Sequence, residues 1–107
     1  MKYQILIIQE AEDDIFDIYK YILENDSGEN ATYVYEHLQK TIETLAEFPE
    51  RGHHPPELDR IGMTGIHEIH FKPYRIVYEI EGRQIFIHAV LDGRRDLQSL
   101  LERRMFR

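Results

Sequence analysis

The run Tyr74-Arg75-Ile76-Val77-Tyr78-Glu79-Ile80 limits what this chain can fold into more than any other stretch. Its β-branched and aromatic residues favour a strand. Side chains alternate along a strand, so Tyr74, Ile76, Tyr78 and Ile80 face one way, and Arg75, Val77 and Glu79 the other. The flanking stretches share this character. Ile66–Phe71 precedes it across Lys72-Pro73, where a proline that donates no ladder hydrogen bond suits a turn. Gln84–Leu91 follows across Glu81-Gly82 or Gly82-Arg83, a hairpin signal. There Ile85, Ile87, Ala89 and Leu91 alternate with Phe86, His88 and Val90. The three strands end on Asp92-Gly93-Arg94-Arg95-Asp96. An arginine at the centre of a strongly β-forming strand, and an arginine pair just past the next one, both need a physical reason.

The rest of the chain reads as support for this sheet. Tyr3–Gln9 is a strand with apolar residues on both faces. Glu10–Asn25 is a helix whose stripe is Ala11, Ile15, Ile18 and Ile22. Its early acids, Glu10, Glu12, Asp13, Asp14 and Asp17, complement the partial positive charge of a helix start rather than mark a metal site. Asp26-Ser27-Gly28 is a turn, and Glu29–Phe48 a second helix with Ala31, Val34, Leu38, Ile42 and Leu45 on one face, stopped by Pro49. So short a link implies an antiparallel hairpin, which must bury its apolar stripe against the sheet. Arg51–Pro56 is a loop; its adjacent His53 and His54 lack the spacing of helical metal ligands. Glu57–Met63 holds a short edge strand, and Asp96–Arg104 a closing helix with Leu97, Leu100 and Leu101 as its apolar face. The expected fold is α+β: a helical hairpin on one face of a twisted, mostly antiparallel sheet of four to five strands. Part of the sheet is parallel if the first strand inserts beside a later one.

With 107 residues the chain is expected to form one domain over 1–107, large enough to bury a core without staples. It contains no cysteine, which excludes disulfides and thiolate metal sites and fits a reducing cytoplasm. No apolar run approaches the roughly 20 residues that cross a bilayer, and no signal-peptide core follows Met1-Lys2. The net charge of −7 argues against a general nucleic-acid binder. That charge is unevenly placed. Residues 1–57 hold 4 Lys/Arg against 13 Asp/Glu, and residues 58–107 hold 9 against 7. The later half either carries ordinary solvated charges or offers a basic patch to an anionic partner.

Four segments stand out in order. They are Ala11-Glu-Asp-Asp-Ile15 at the first helix and Leu45-Ala-Glu-Phe-Pro-Glu-Arg-Gly52 at the close of the hairpin, then Tyr74-Arg75-Ile76-Val77-Tyr78 and Val90-Leu91-Asp92-Gly93-Arg94-Arg95-Asp96. Together they resemble the RelE/ParE superfamily of type II toxin–antitoxin toxins. The resemblance covers essentially the whole chain. It implies a cognate antitoxin as partner, a plasmid-stabilisation type of system, and one of two activities. RelE-like members cut messenger RNA on the ribosome; ParE-like members bind and block DNA gyrase. It also implies a homodimer, or a heterotetramer with the antitoxin.

RNA cleavage needs a proton acceptor, a proton donor and cations for the phosphorane charge. By resemblance, Arg75 and Arg95 are the cations of a RelE-like site. The lysine positions of that branch fall near Ile66 and Glu68, and its tyrosine position near Leu101, so its acid–base set is absent. His67, His70 or His88 could supply a proton-transfer group. However, His67 and His70 point to opposite faces, and at most one shares the face of Arg75. The missing lysines and the Gly-Arg-Arg-Asp turn look more like the ParE branch, in which Arg94, Arg95, Arg103 and Arg104 are expected to touch the target. Arg75 otherwise pairs with Glu68 or Glu79, and the last arginines complement the end of the closing helix. No metal or organic cofactor is expected. An inactive member that only binds its antitoxin is the third reading.

Overall fold

A computed structural model describes residues 2–62, 64–93 and 96–105. Arg94, Arg95, Met63 and Arg107 therefore lie outside the described residues. The order is β1 (Gln4–Ile7), α1 (Gln9–Asn25), α2 (Gly28–Glu43), a 3-10 turn (Thr44–Ala46), α3 (Pro56–Asp59), β2 (Ile66–Phe71), β3 (Tyr74–Glu81), β4 (Gln84–Asp92) and α4 (Leu97–Met105). The sheet runs β1-β4-β3-β2, with β2, β3 and β4 antiparallel and β1 parallel to β4. The first strand does insert beside a later one, and one edge of the sheet is parallel. β1 is shorter than the apolar run suggests, because Ile8 already serves as the cap residue of α1.

Each helix boundary has a local cause. Ser27 Oγ accepts a hydrogen bond from the Asn30 amide at 3.0 Å and starts α2. α2 ends at Glu43, earlier than the apolar stripe suggests, and tightens into the 3-10 turn. Pro49 has no amide hydrogen to donate to the Leu45 carbonyl, so the last i→i−4 bond of this segment runs from the Phe48 amide to the Thr44 carbonyl at 3.1 Å. The expected edge strand at Glu57–Met63 is instead the single helical turn α3. Pro56 stands at its first position, where a missing amide hydrogen costs nothing, and Glu57 and Asp59 follow in the first turn. Gly82 has φ 61° at the first position of the β3–β4 turn while Arg83 is not left-handed, the type II′ pattern.

Both faces of the sheet are covered. The hairpin face buries Ala11, Ile15, Leu38, Ile42 and Leu45 against Ile69, Ile76, Tyr78, Ile85 and Ile87. The opposite face, which the sequence reading left open, buries Leu58, Leu97, Leu100 and Leu101 against Ile66, Val77, Ala89 and Leu91. Full burial of a large aliphatic side chain contributes about 1.5–3 kcal/mol, so this second layer is a substantial part of the stability.

Strict alternation in the last strand does not hold. Tyr78 pairs with Ile87 and Val77 with Ala89, which leaves His88 as an extra residue in a β-bulge. The bulge resets the faces. Ile85 and Ile87 point to the hairpin, whereas Ala89 and Leu91 point to α3 and α4. One inserted residue thus serves two apolar layers with a single strand.

Candidate functional site

The network begins at Arg75. Its β3 position directly opposes His70 on β2, so the two side chains share a face. Glu68, two residues earlier on β2, lies on that face too. Arg75 Nε donates to Glu68 Oε1 at 2.7 Å and Nη2 to Glu68 Oε2 at 3.0 Å. Nη1 and Nη2 donate to Glu57 Oε2 and Oε1, each at 2.9 Å. Two carboxylates therefore clamp one guanidinium, each in the paired geometry that suits arginine. Glu68 is only 1% exposed and the Arg75 side chain 12%.

The protonation states follow from these contacts. The hydrogen bonds from Arg75 hold the Glu57 carboxyl below the usual carboxylate range. Burial pushes the Glu68 carboxyl up, but hydrogen bonds from Arg75 and His70 outweigh it, and the net shift is downward. Arg75 is held still more firmly as a cation, first by its bonds to Glu57. All three groups are charged at neutral pH.

Two imidazoles complete the cluster. His70 Nε2 lies 2.9 Å from Glu68 Oε1, and His53 Nε2 lies 3.4 Å from Glu68 Oε2. His53 is placed by its backbone, which exchanges both hydrogen bonds with Glu68 in an isolated antiparallel bridge. His67 points to the other face, as strand alternation requires. It lies between the rings of His54 and Tyr78, and burial there lowers its pKa. A cleft of about 440 Å³ opens beside the network, between His53, Glu57, Lys72 and Tyr74.

The loop that carries His53 is fixed from below. Tyr78 donates its hydroxyl hydrogen to the Pro49 carbonyl at 2.8 Å and accepts from the Gly52 amide at 3.1 Å. A Cβ on Gly52 would stand 2.5 Å from the Tyr78 hydroxyl and 2.6 Å from the Glu68 carbonyl, so only glycine fits.

The other candidate residues sit elsewhere. His88, the bulge residue, contacts Glu79 Oε1 at 3.0 Å and is remote in the pairing from Arg75. Glu79 thus serves His88, not Arg75. Arg104 folds back on α1: its Nη1 and Nη2 donate to Asp14 at 2.8 and 2.9 Å, and Nη1 also reaches the His88 carbonyl. Asp14 in turn accepts from the Val90 amide at 2.9 Å. Arg104 is therefore engaged within the fold, whereas the neighbouring Arg103 is exposed. Asp96 caps α4, accepting from the Ser99 amide and hydroxyl.

Three residues of these networks escaped the sequence reading. Asp14 passed as one of several helix-start acids, and nothing local distinguishes it. Glu57 was placed in a strand, although Pro-Pro-Glu is a helix-start signal that puts an acid in the first turn. His53 stands next to His54, which is not the spacing of helical ligands, and its partners Glu68 and His70 lie 15 and 17 residues away where no local pattern points to them.

The architecture is shared with known toxins. The solved chromosomal ParDE toxin–antitoxin system from P. aeruginosa superposes with a TM-score of 0.71 at 15% identity, covering 85% of this chain and 96% of that one. A double arginine-to-alanine variant of E. coli toxin RelE in the free state gives 0.66 at 17% identity, covering 99% and 97%. These likenesses establish the fold as that of the RelE/ParE toxins. Sequence narrows the class. Residues 5–97 match the family model described as ParE toxin of the type II toxin–antitoxin system, parDE. Toxin ParE3 of Caulobacter vibrioides is 24% identical over 88 residues, 82% of this chain and 84% of its own. The chain belongs to the ParE toxin family.

Proposed function

We propose that this protein is the toxin of a parDE-type pair, that it acts by binding a macromolecular target, DNA gyrase, and that a cognate antitoxin encoded beside it neutralises it. The observation that carries the reading is the double carboxylate clamp on Arg75. A strand arginine that stabilises a cleaving phosphodiester must offer its donors to phosphate. Here four of the five N–H directions of the guanidinium already point at Glu57 and Glu68. A phosphate would have to displace two carboxylates, one of them buried. The position where the RelE branch keeps a lysine is that same buried Glu68. This favours a binding inhibitor over a ribosome-dependent nuclease using Arg75, Arg95 and His70.

On this reading the inhibitory surface is built from Arg94, Arg95 and the exposed Arg103 of α4. Arg104 sets the position of α4 through Asp14. The antitoxin covers the outer face of the helical hairpin, where Phe16 is 58% and Tyr35 42% exposed beside Tyr19. Burying such aromatics is a large part of the driving force at interfaces. The toxin and antitoxin then assemble in the cytoplasm as a heterotetramer. Among the described residues no helix is long and apolar enough to cross a membrane.

The test is induced expression with and without the neighbouring open reading frame. Growth arrest with a DNA-damage response and trapped gyrase–DNA complexes, relieved by the neighbour, is the expected outcome. Codon-specific cleavage of ribosome-bound messages, abolished by Arg75→Ala, would replace this reading with the nuclease one. Unchanged growth would reduce the chain to an antitoxin-binding member without toxicity.

A further inference from the structure

We propose that His53, Glu68 and His70 form a binding site for a divalent transition-metal ion, with Zn²⁺ as the fitting occupant. Two imidazoles and one carboxylate are a ligand set that suits borderline ions such as Zn²⁺, Co²⁺ and Ni²⁺. Their ligand atoms all lie within 4.8 Å of one another, and this is the cluster of its kind among the described residues.

With metal–ligand bonds of about 2.0–2.1 Å, two ligand atoms on one ion are separated by roughly 3–3.4 Å. The separations from His70 Nε2 to Glu68 Oε1, 2.9 Å, and from His53 Nε2 to Glu68 Oε2, 3.4 Å, lie close to that spacing, and an ion would draw together ligand atoms that now stand within 4.8 Å of one another. The His53 and His70 rings meet edge to face, 5.3 Å apart between centroids and 74° to one another, and each turns its Nε2 toward the Glu68 carboxylate. His53 is the exposed partner, at the end of a loop, and a small side-chain rotation brings its nitrogen in. Its backbone does not have to move, because the bridge to Glu68 already sets it.

Charge points the same way. One guanidinium serves two carboxylates, so the cluster of Arg75, Glu57 and Glu68 is one positive charge short when both imidazoles are neutral. A divalent ion supplies that charge by taking the place of the His70 Nε2 proton, the ring keeping its one proton on Nδ1 and so remaining neutral. Arg75 then acts as an outer partner that orients the carboxylate through Nε and Nη2, as supporting groups do at metal sites. Three protein ligands leave coordination positions open toward the cleft, for water or for a group of a bound macromolecule. The ion would also staple the loop at His53 to β2. The site stands independently of the gyrase reading.

Titration of chelator-stripped, histidine-tag-free protein with ZnCl₂ by calorimetry at pH 7.5 tests it. The expected result is uptake of one Zn²⁺ per chain. His53→Ala and His70→Ala should each weaken it about tenfold or more, by analogy with the loss of supporting partners at known sites. His54→Ala is the control, since that ring turns away to the Ile66 carbonyl and His67. Co²⁺ added in place of Zn²⁺ should give visible absorption stronger than that of the hydrated ion, lost in His53→Ala. Circular dichroism separates these outcomes from misfolding, and His53, being exposed, is the variant least able to disturb the fold. Absence of one-to-one uptake overturns the proposal. So does uptake that survives His53→Ala with His70→Ala, or uptake abolished by His54→Ala.

Discussion

The Arg75 guanidinium and the Glu68 carboxylate meet through two parallel hydrogen bonds, 2.7 and 3.0 Å, on the face of the sheet that α3 covers. Removing the cation leaves a buried carboxylate with no balancing charge, and breaking such a pair from one side costs about 3–5 kcal/mol. Arg75→Met should therefore lower unfolding free energy by about 3 kcal/mol. Arg75→Lys should recover only part of it, because an ammonium cannot serve two carboxylates in paired geometry. Urea unfolding of the three proteins checks both.

The same clamp makes stability depend on acid. Glu57 and Glu68 both titrate lower in the folded protein than in the unfolded chain, where a glutamate titrates near 4.3. A depressed carboxylate stabilises fully above its unfolded value, and the contribution drains away as pH falls through the folded value. Unfolding midpoints in the presence of chelator should decline gently below about pH 6.5, where the unfolded chain protonates the His67 ring that burial keeps neutral, and fall steeply below about pH 4.5. Glu57→Gln should make that fall shallower.

Gly52 is the tightest steric point beside the clamp. Gly52→Ala drives a methyl into the Tyr78 hydroxyl and the Glu68 carbonyl, with little room for either to yield. The expected loss is about 1–3 kcal/mol or more, the range for overpacking. Tyr78→Phe, which removes only the hydroxyl bonds to Pro49 and Gly52, should cost about 1–2 kcal/mol. The phenol removed is one whose pKa burial pushes up. In the double variant Gly52→Ala with Tyr78→Phe the losses should add to less than their sum, since the methyl gains space. Thermal or urea denaturation decides.

Arg103 and Arg104 are neighbours with opposite roles. Arg104→Ala breaks the tie to Asp14, and a double-mutant cycle with Asp14→Ala should give a coupling of about 1–3 kcal/mol. Arg103→Ala should leave stability unchanged and, on the binding-inhibitor reading, reduce growth arrest. Equal stability losses from both substitutions would remove Arg103 from the proposed surface.

Much of this fold was legible because its signals are local. The stripes of α1 and α2, the three antiparallel strands, and the Leu97, Leu100 and Leu101 face of α4 all follow from periodicities within single segments. Two differences have separate causes. The bulge at His88 breaks the alternation between Ile87 and Ala89, and alternation over a few apolar residues does not tell one face from two. The turn α3 stands where a strand is expected because Pro56 and the acids after it start a helix. The family motifs likewise located Arg75 but not its state.

What the sequence determined by itself is the main helices and strands other than α3, their order and the toxin family, since those depend on spacing along the chain and on motifs in fixed order. Tertiary structure decided what the charges do. Arg75 reaches Glu57 across 18 positions, and Arg104 reaches Asp14 across 90. A guanidinium's behaviour is set by the carboxylates within hydrogen-bond reach and by how much water is excluded around them. Neither quantity has any signature in the spacing of residues; both arise only when the sheet, α1, α3 and α4 close around the same side chains.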